Sequence, residues 1–274
     1  MVVADGMGGH RHGEVAAQIA VRTLIENFQR EASPLIQDPF LFLQDAMLRT
    51  HCNILDFAEE HAIPDSPRTT CVACLVQNNI AYWAHAGDSR LYLFRGGKIL
   101  TQTRDHSRVQ LLLDQGLITP AQAAKHPERN KVYCCLGGSQ MPEIEYSRKT
   151  PLEARDMLVL CTDGLWGPLS DKILSAALQR DDLKQAIFEL LDVANQRGGP
   201  MADNLSIIAV RWENSHVDAT SEAANFVSTQ AIPDGSIATE MGDAHDPEQK
   251  TELSEDEIEH AIQEIQNTLQ KYSR

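Results

Sequence analysis

Val2-Val3-Ala4-Asp5-Gly6-Met7-Gly8-Gly9-His10 opens the chain: apolar residues lead into an aspartate, and glycines then strip the turn of side chains. Such a stretch predicts a strand that ends by presenting a carboxylate at a sheet's rim, beside backbone free to approach a ligand. Val159-Leu160-Cys161-Thr162-Asp163-Gly164 repeats the device. In Ala202-Asp203-Asn204-Leu205-Ser206-Ile207-Ile208-Ala209-Val210 the aspartate stands before the strand instead. Any one of these dipeptides alone is an ordinary turn. Three of them at strand ends, with Gly87-Asp88-Ser89-Arg90 between, can converge on one divalent cation site. Carboxylate and carbonyl oxygens are hard ligands that suit Mg²⁺ or Mn²⁺.

Outward from the opening turn, Val15, Ala16, Ile19, Ala20, Leu24 and Phe28 recur at helical spacing, which predicts an amphipathic helix over 13–30. A second helix is expected over about 39–61, opening on the N-cap and N1 pair Asp38-Pro39. Residues 69–103 then read as short β-type runs, Thr69–Gln77, Asn79–Ala86, Ser89–Arg95 and Lys98–Thr103. Asn78-Asn79, Gly87-Asp88 and Gly96-Gly97 between them read as hairpin connections of an antiparallel meander. Short helices are expected at Val109–Gln115 and from Thr119-Pro120 to about Lys125. A strand follows at 156–162, helices at 170–178 and 182–197, and a last strand at 204–212. A helix pair followed by antiparallel strands argues against βαβ units, so the class is α+β, two antiparallel sheets covered by helices.

The chain has 274 residues, enough for one large domain with an appendage. No run approaches the ~18 apolar residues of a membrane span. The opening also lacks the basic and apolar regions of a signal peptide, so the chain is expected in the cytoplasm. Of the net charge of −15, residues 213–274 carry −11, with 14 acidic and 3 basic residues, and 1–212 only −4. Nucleic acid would want a basic face, which is missing. Cys71 and Cys74 lie in a β-type run where their spacing turns them to opposite faces, and no second pair accompanies them. All six cysteines therefore read as free thiols rather than a zinc site. Past Trp212 the composition predicts a disordered acidic linker over 213–250. An amphipathic acidic helix is expected over 251–271, with Ser254-Glu255-Asp256-Glu257 as its capping box and Ile258, Ile262, Ile265 and Leu269 as an apolar stripe for a protein partner.

VADGMGGH, GDSRLYLFRGGK, TRDHS, HPERN, CTDGLWGPLSD and ADNLSIIAV occur in one order over residues 1 to about 212. In that order they resemble the type 2C, metal-dependent serine/threonine protein phosphatases (the PPM family), in particular the bacterial branch. The resemblance implies a four-layer αββα sandwich, a catalytic domain over 1–212 and a flap at about 106–147 beside the active site. It further implies two Mn²⁺ or Mg²⁺ ions, with Asp5 bridging them, the Gly6 carbonyl on the second, and Asp163 and Asp203 completing the shell of the first. Asp88 matches the position that helps hold a third, weaker ion, its plainer role being a hairpin turn residue. A metal-activated water would displace the serine or threonine oxygen in line, with no phosphoenzyme. The substrate would be a phosphoprotein, the counterpart of a serine/threonine kinase. His10, His12 and His126 are candidate proton donors to the leaving oxygen, with a plain surface role as the alternative. His85 and His106 are assigned no chemistry.

One departure stands out. Family members carry a strand, a phosphate-gripping arginine and an acidic pair with a second-metal ligand before the first Asp-Gly; here only four residues precede Asp5. No residue of this chain is carried over to those roles, and the expectation is that the true start lies upstream, the alternative being a genuinely shortened protein that holds the second ion weakly. The alternative from another class is a catalytically impaired phosphatase-like module that binds phosphoproteins or a kinase. A third, an unrelated metal-dependent hydrolase such as a nuclease, fits neither the acidic balance nor the motif order.

Overall fold

Alternation along β2 (Thr69–Gln77) turns Cys71, Ala73 and Leu75 to one side and Val72 and Cys74 to the other. Both sides are buried. A strand buried on both faces belongs to a sheet covered above and below, and the computed structural model shows what covers it. The structure describes residues 1–8, 12–123, 125–199 and 202–213. The expected linker and terminal helix lie outside the described residues from position 214 on.

Cys71, Ala73 and Leu75 pack on two long helices, α1 (Gly13–Glu31) and α2 (Pro39–Glu60), through Ala16, Leu24, Leu43, Met47 and Ile54. The Asp38 carboxylate caps α2 by accepting from the N–H groups of Phe40 and Leu41, both at 3.1 Å, which satisfies donors the helix cannot pair itself. On the opposite face, Val72 and Cys74 meet Leu91 and Leu93 of β4 (Arg90–Arg95) and Leu158 and Leu160 of β8 (Met157–Cys161). The outer face of that second sheet, Tyr92, Phe94, Met157 and Val159, packs on helices through Leu165, Leu174, Leu178 and Leu190. These come from α5 (Asp163–Trp166), α6 (Asp171–Leu178) and α7 (Leu183–Gly198). Four layers result, helix, sheet, sheet and helix, as expected of this fold class.

The first sheet is ordered β1-β2-β3-β6, with β7 also on β3; the second is ordered β5-β4-β8-β9. Here β1 is Val2–Gly6, β3 Ile80–Ala86, β5 Lys98–Gln102, β6 Glu145–Tyr146, β7 Thr150–Pro151 and β9 Ile207–Arg211. Every pairing is antiparallel. Among the described residues between 106 and 147 lie the short helices α3 (Arg108–Asp114) and α4 (Pro120–Ala123), isolated bridges Ser107↔Val132 and Thr69↔Leu136, and β6.

One expectation is corrected. The four β-type runs do not form a meander: β2 pairs with β3 and β4 with β5, but β3 and β4 lie in different sheets. Gly87-Asp88-Ser89 therefore crosses from sheet to sheet and is no hairpin. Gly87 sits at φ 111° with Thr70 so close that a Cβ would lie 2.5 Å from the Thr70 Cβ. The Thr70 and Ser89 hydroxyls share a buried hydrogen bond of 2.7 Å at the same crossing. A tight polar connection looks alike in sequence whether the chain folds back or crosses.

The cavity cost between the sheets sets a first test. Leu160 is fully buried there. Leu160→Ala should lose about 2–5 kcal/mol of stability, read as a lower urea midpoint with an unchanged slope.

Candidate metal centre

Asp5 follows Val3 by two residues on β1, so both side chains point into the space between the sheets, where Val3 is buried. The strand is held in register by the pairing Asp5↔Thr70 and by the Thr69 hydroxyl, which donates to the Asp5 carbonyl at 2.8 Å. Gly6 is required by close approach: a Cβ would stand 2.3 Å from the Gly13 carbonyl oxygen at the start of α1. From the other sheet, β8 ends at Cys161 and Asp163 begins α5. The Thr162 hydroxyl donates to the Asn204 carbonyl and accepts from the Ser206 N–H, both at 3.1 Å. These bonds lay the Asp203 segment beside Asp163. Gly164 permits it, since a Cβ there would sit 2.3 Å from the Asn204 oxygen.

The three aspartates thus meet. Asp5 and Asp163 share a side-chain hydrogen bond, and each feels the charge of Asp203. Burial, then the charges of Asp163 and Asp203, push Asp5 up to about 7. Burial and Asp203 also raise Asp163. Asp88 joins the same field: it is buried, and desolvation followed by repulsion from Asp163, Asp105 and Asp5 pushes it up to about 8. Crowded carboxylates that must share protons are a donor set for a hard divalent cation, whose charge relieves the repulsion the protons now relieve.

Arg90 was read only as part of a motif, yet it anchors this corner. Its Nε and Nη2 donate to the two oxygens of Asp105 at 2.8 and 2.7 Å, its Nη1 to the Tyr92 hydroxyl at 2.8 Å. The guanidinium lies 3.5 Å over the Trp166 ring, and the Trp166 indole N–H donates to the Asp88 carbonyl at 3.0 Å. Charge, ring and hydrogen bond together fix the crossing that carries Asp88. Its spacing from Asp105 gives no sequence signal of the pair.

The histidines stand differently. His10 lies outside the described residues. His12 is exposed, with Nδ1 3.9 Å from Glu14. His126 is half-buried, and its Nδ1 accepts from the Glu128 N–H at 3.1 Å within its own turn.

Carboxylates whose folded values exceed their unfolded ones bind more protons in the fold, so stability falls as pH rises through those values and levels off above them. Buried His51, His85 and His106, displaced downward by desolvation, act oppositely near their ordinary value and below. The metal-free chain should therefore melt lower at about pH 8.5 than at about pH 6.5, losing on the order of 1–2 kcal/mol of stability for each of Asp5 and Asp88. Differential scanning fluorimetry in EDTA reads this; Asp88→Asn should shallow the slope, and a flat profile in the parent chain would count against the crowding.

The model of the protein phosphatase 2C family matches residues 1–208. The serine/threonine protein phosphatase PstP of Mycobacterium tuberculosis H37Rv is 35% identical over 210 residues, which are 76% of this chain and 39% of that protein. This chain thus spans well under half of that relative. The serine/threonine phosphatase stp of Listeria innocua is 32% identical over 77% of this chain and 83% of its own length. Among solved structures, the catalytic domain of PstP in complex with two manganese ions superposes with a TM-score of 0.66 at 33% identity, covering 77% of this chain and 87% of that one. Sheet order, the aspartates at the strand ends and these matches agree: the chain belongs to the protein phosphatase 2C family.

Proposed function

We propose that this chain hydrolyses phosphoserine and phosphothreonine in proteins with the help of divalent cations held by Asp5, Asp163, Asp203 and the Gly6 carbonyl, with Asp88 serving a third, weaker ion. The observation that carries this is the placement of Asp5 at the end of β1 and of Asp163 just past the end of β8, with the Asp203 segment laid beside Asp163 by the Thr162 hydrogen bonds. Two Mn²⁺ or Mg²⁺ are favoured by the all-oxygen donor set and by the two manganese ions in the solved PstP domain. When bound, such ions supply the Lewis-acid charge that lowers the pKa of water and offsets that of a phosphoryl group. The chain's own part would be to present Asp5 from the first sheet and to fix Asp163 and Asp203 side by side through Thr162. The Arg90–Asp105 pair holds Asp88 in place. The phosphoprotein substrate class follows from what the relatives are named for, and the opposing enzyme would be a serine/threonine kinase. The catalytic unit would be 1–212 with the flap at 106–147, and the acidic segment 251–271 would take a protein partner. No helix among the described residues is long and apolar enough to cross a membrane; cytoplasmic residence remains part of the proposal.

Phosphate release from a phosphothreonyl peptide tests it. The full chain should turn over in millimolar Mn²⁺ and lose at least about 10²-fold in EDTA, recovering on re-addition of metal. Turnover indifferent to EDTA, or a folded chain inert in Mn²⁺, would overturn the proposal.

A further inference from the structure

We propose that His85, His106 and Glu145 form a separate metal site for a transition ion of the Zn²⁺ class. One ligand atom from each lies within 4.8 Å of the others. They come from three elements: the end of β3, the segment after β5, and β6, which pairs His85↔Glu145.

The state of each nitrogen favours a ligand role. His85 is 2% exposed, and its Nε2 donates to the Arg104 carbonyl at 2.7 Å. That bond fixes the tautomer and leaves the Nδ1 lone pair free, the arrangement by which metal-bound imidazoles are oriented. Nδ1 is buried with no hydrogen-bond partner, an acceptor whose desolvation nothing offsets. The His106 ring stacks on it with centroids 4.7 Å apart, and its Nε2 lies 3.4 Å from Glu145 Oε2. Both imidazoles are held below their ordinary value, by desolvation first, so they are neutral and competent ligands near pH 7.

A tetrahedral ion with bonds of about 2.0 Å needs its ligand atoms closer together than they stand. Glu145 can supply its part of that movement, because its side chain is 44% exposed; the two buried imidazoles close the rest by rotation of their rings. Coordination through His106 Nε2 shifts that ring's proton to Nδ1, at the expense of one long hydrogen bond, Gly87 N–H to Nδ1 at 3.3 Å. No net proton leaves the imidazoles. A cavity of about 420 Å³ opens against His85 and Glu145, lined also by Trp83, Thr103, Tyr146 and Ser147, so two of the three ligands border space that water and an ion can reach. Two nitrogens and one oxygen prefer a borderline ion over Mg²⁺, whereas the aspartates offer oxygen alone. The two sites share no ligand, so this inference stands apart from the phosphatase proposal.

Co²⁺ is the probe, since its visible bands report nitrogen ligation of low coordination number. The metal-free full chain, and its Asp163→Asn form with the aspartate site impaired, should each bind one equivalent with such a band, displaced by Zn²⁺ and not by equal Mg²⁺. Glu145→Gln, an exposed change that spares the fold, should weaken that equivalent at least about 10-fold, and His85→Ala should remove it. An unchanged Co²⁺ affinity in Glu145→Gln, or no Co²⁺ band in the folded parent chain, would overturn the site.

Discussion

Asp163→Asn should cost about 10³-fold or more in Mn²⁺-dependent turnover while leaving the metal-free protein more heat-stable than its parent. Both halves come from one geometry. Burial and the charge of Asp203 outweigh the hydrogen bonds that Asp163 makes, so its ionised form is disfavoured until a cation faces it. The amide is almost isosteric, keeps the backbone contact in which the Asp163 carbonyl accepts from Gly167 N–H, and removes one member of a repelling trio. A rise of about 2–4 °C in the metal-free melting temperature corresponds to ~1 kcal/mol of relieved repulsion. Turnover within about tenfold of the parent at saturating Mn²⁺ would remove Asp163 from the centre. A fall in melting temperature would instead mean that the carboxylate is structural.

The second large effect is expected at Asp105. Truncation to alanine leaves Arg90 buried against Trp166 and Tyr92 with no carboxylate to meet its fork. Breaking a buried pair from one side costs about 3–5 kcal/mol, because an uncompensated charge stays in a poorly polar place. For a chain of this size that is a melting temperature lower by roughly 10 °C. Removing both charges, as Arg90→Met with Asp105→Leu, should restore most of the loss, since apolar side chains of similar volume often replace such pairs without penalty. A single mutant as damaged as the double would show that packing, not charge, sets the cost. Urea denaturation of the three forms decides it.

The layers were legible because burial writes a period. Ile19, Leu24 and Phe28 on α1 and the continuous apolar run Cys71–Val76 on β2 point to their partners without any tertiary information. The three strand-end aspartates were legible as a set for a similar reason, since each closes or precedes a run that must be a strand. What stayed hidden depends on contacts between distant segments. Asp163-Gly164 reads as a turn, yet it opens a helical turn because Leu165 finds a buried place among the outer helices. The two-residue strands β6 and β7 exist only because β3 offers them an edge. The Gly87–Ser89 crossing is decided by whether residues 90–95 find β8 or β3, which local composition does not encode. Nor can spacing reveal that positions 85, 106 and 145 come together.

The aspartate centre draws Asp5 from one sheet and Asp163 and Asp203 from the two sides of the other sheet's exit. An ion shared by them would be a tether between halves otherwise joined by apolar side chains such as Val72, Trp83, Leu91 and Leu160. Linkage would then make the stability of the fold a function of free cation, growing as RT ln(1 + [M]/Kd). Two preparations differing only in residual metal would melt at different temperatures, so a melting point for this protein has meaning only alongside its cation activity.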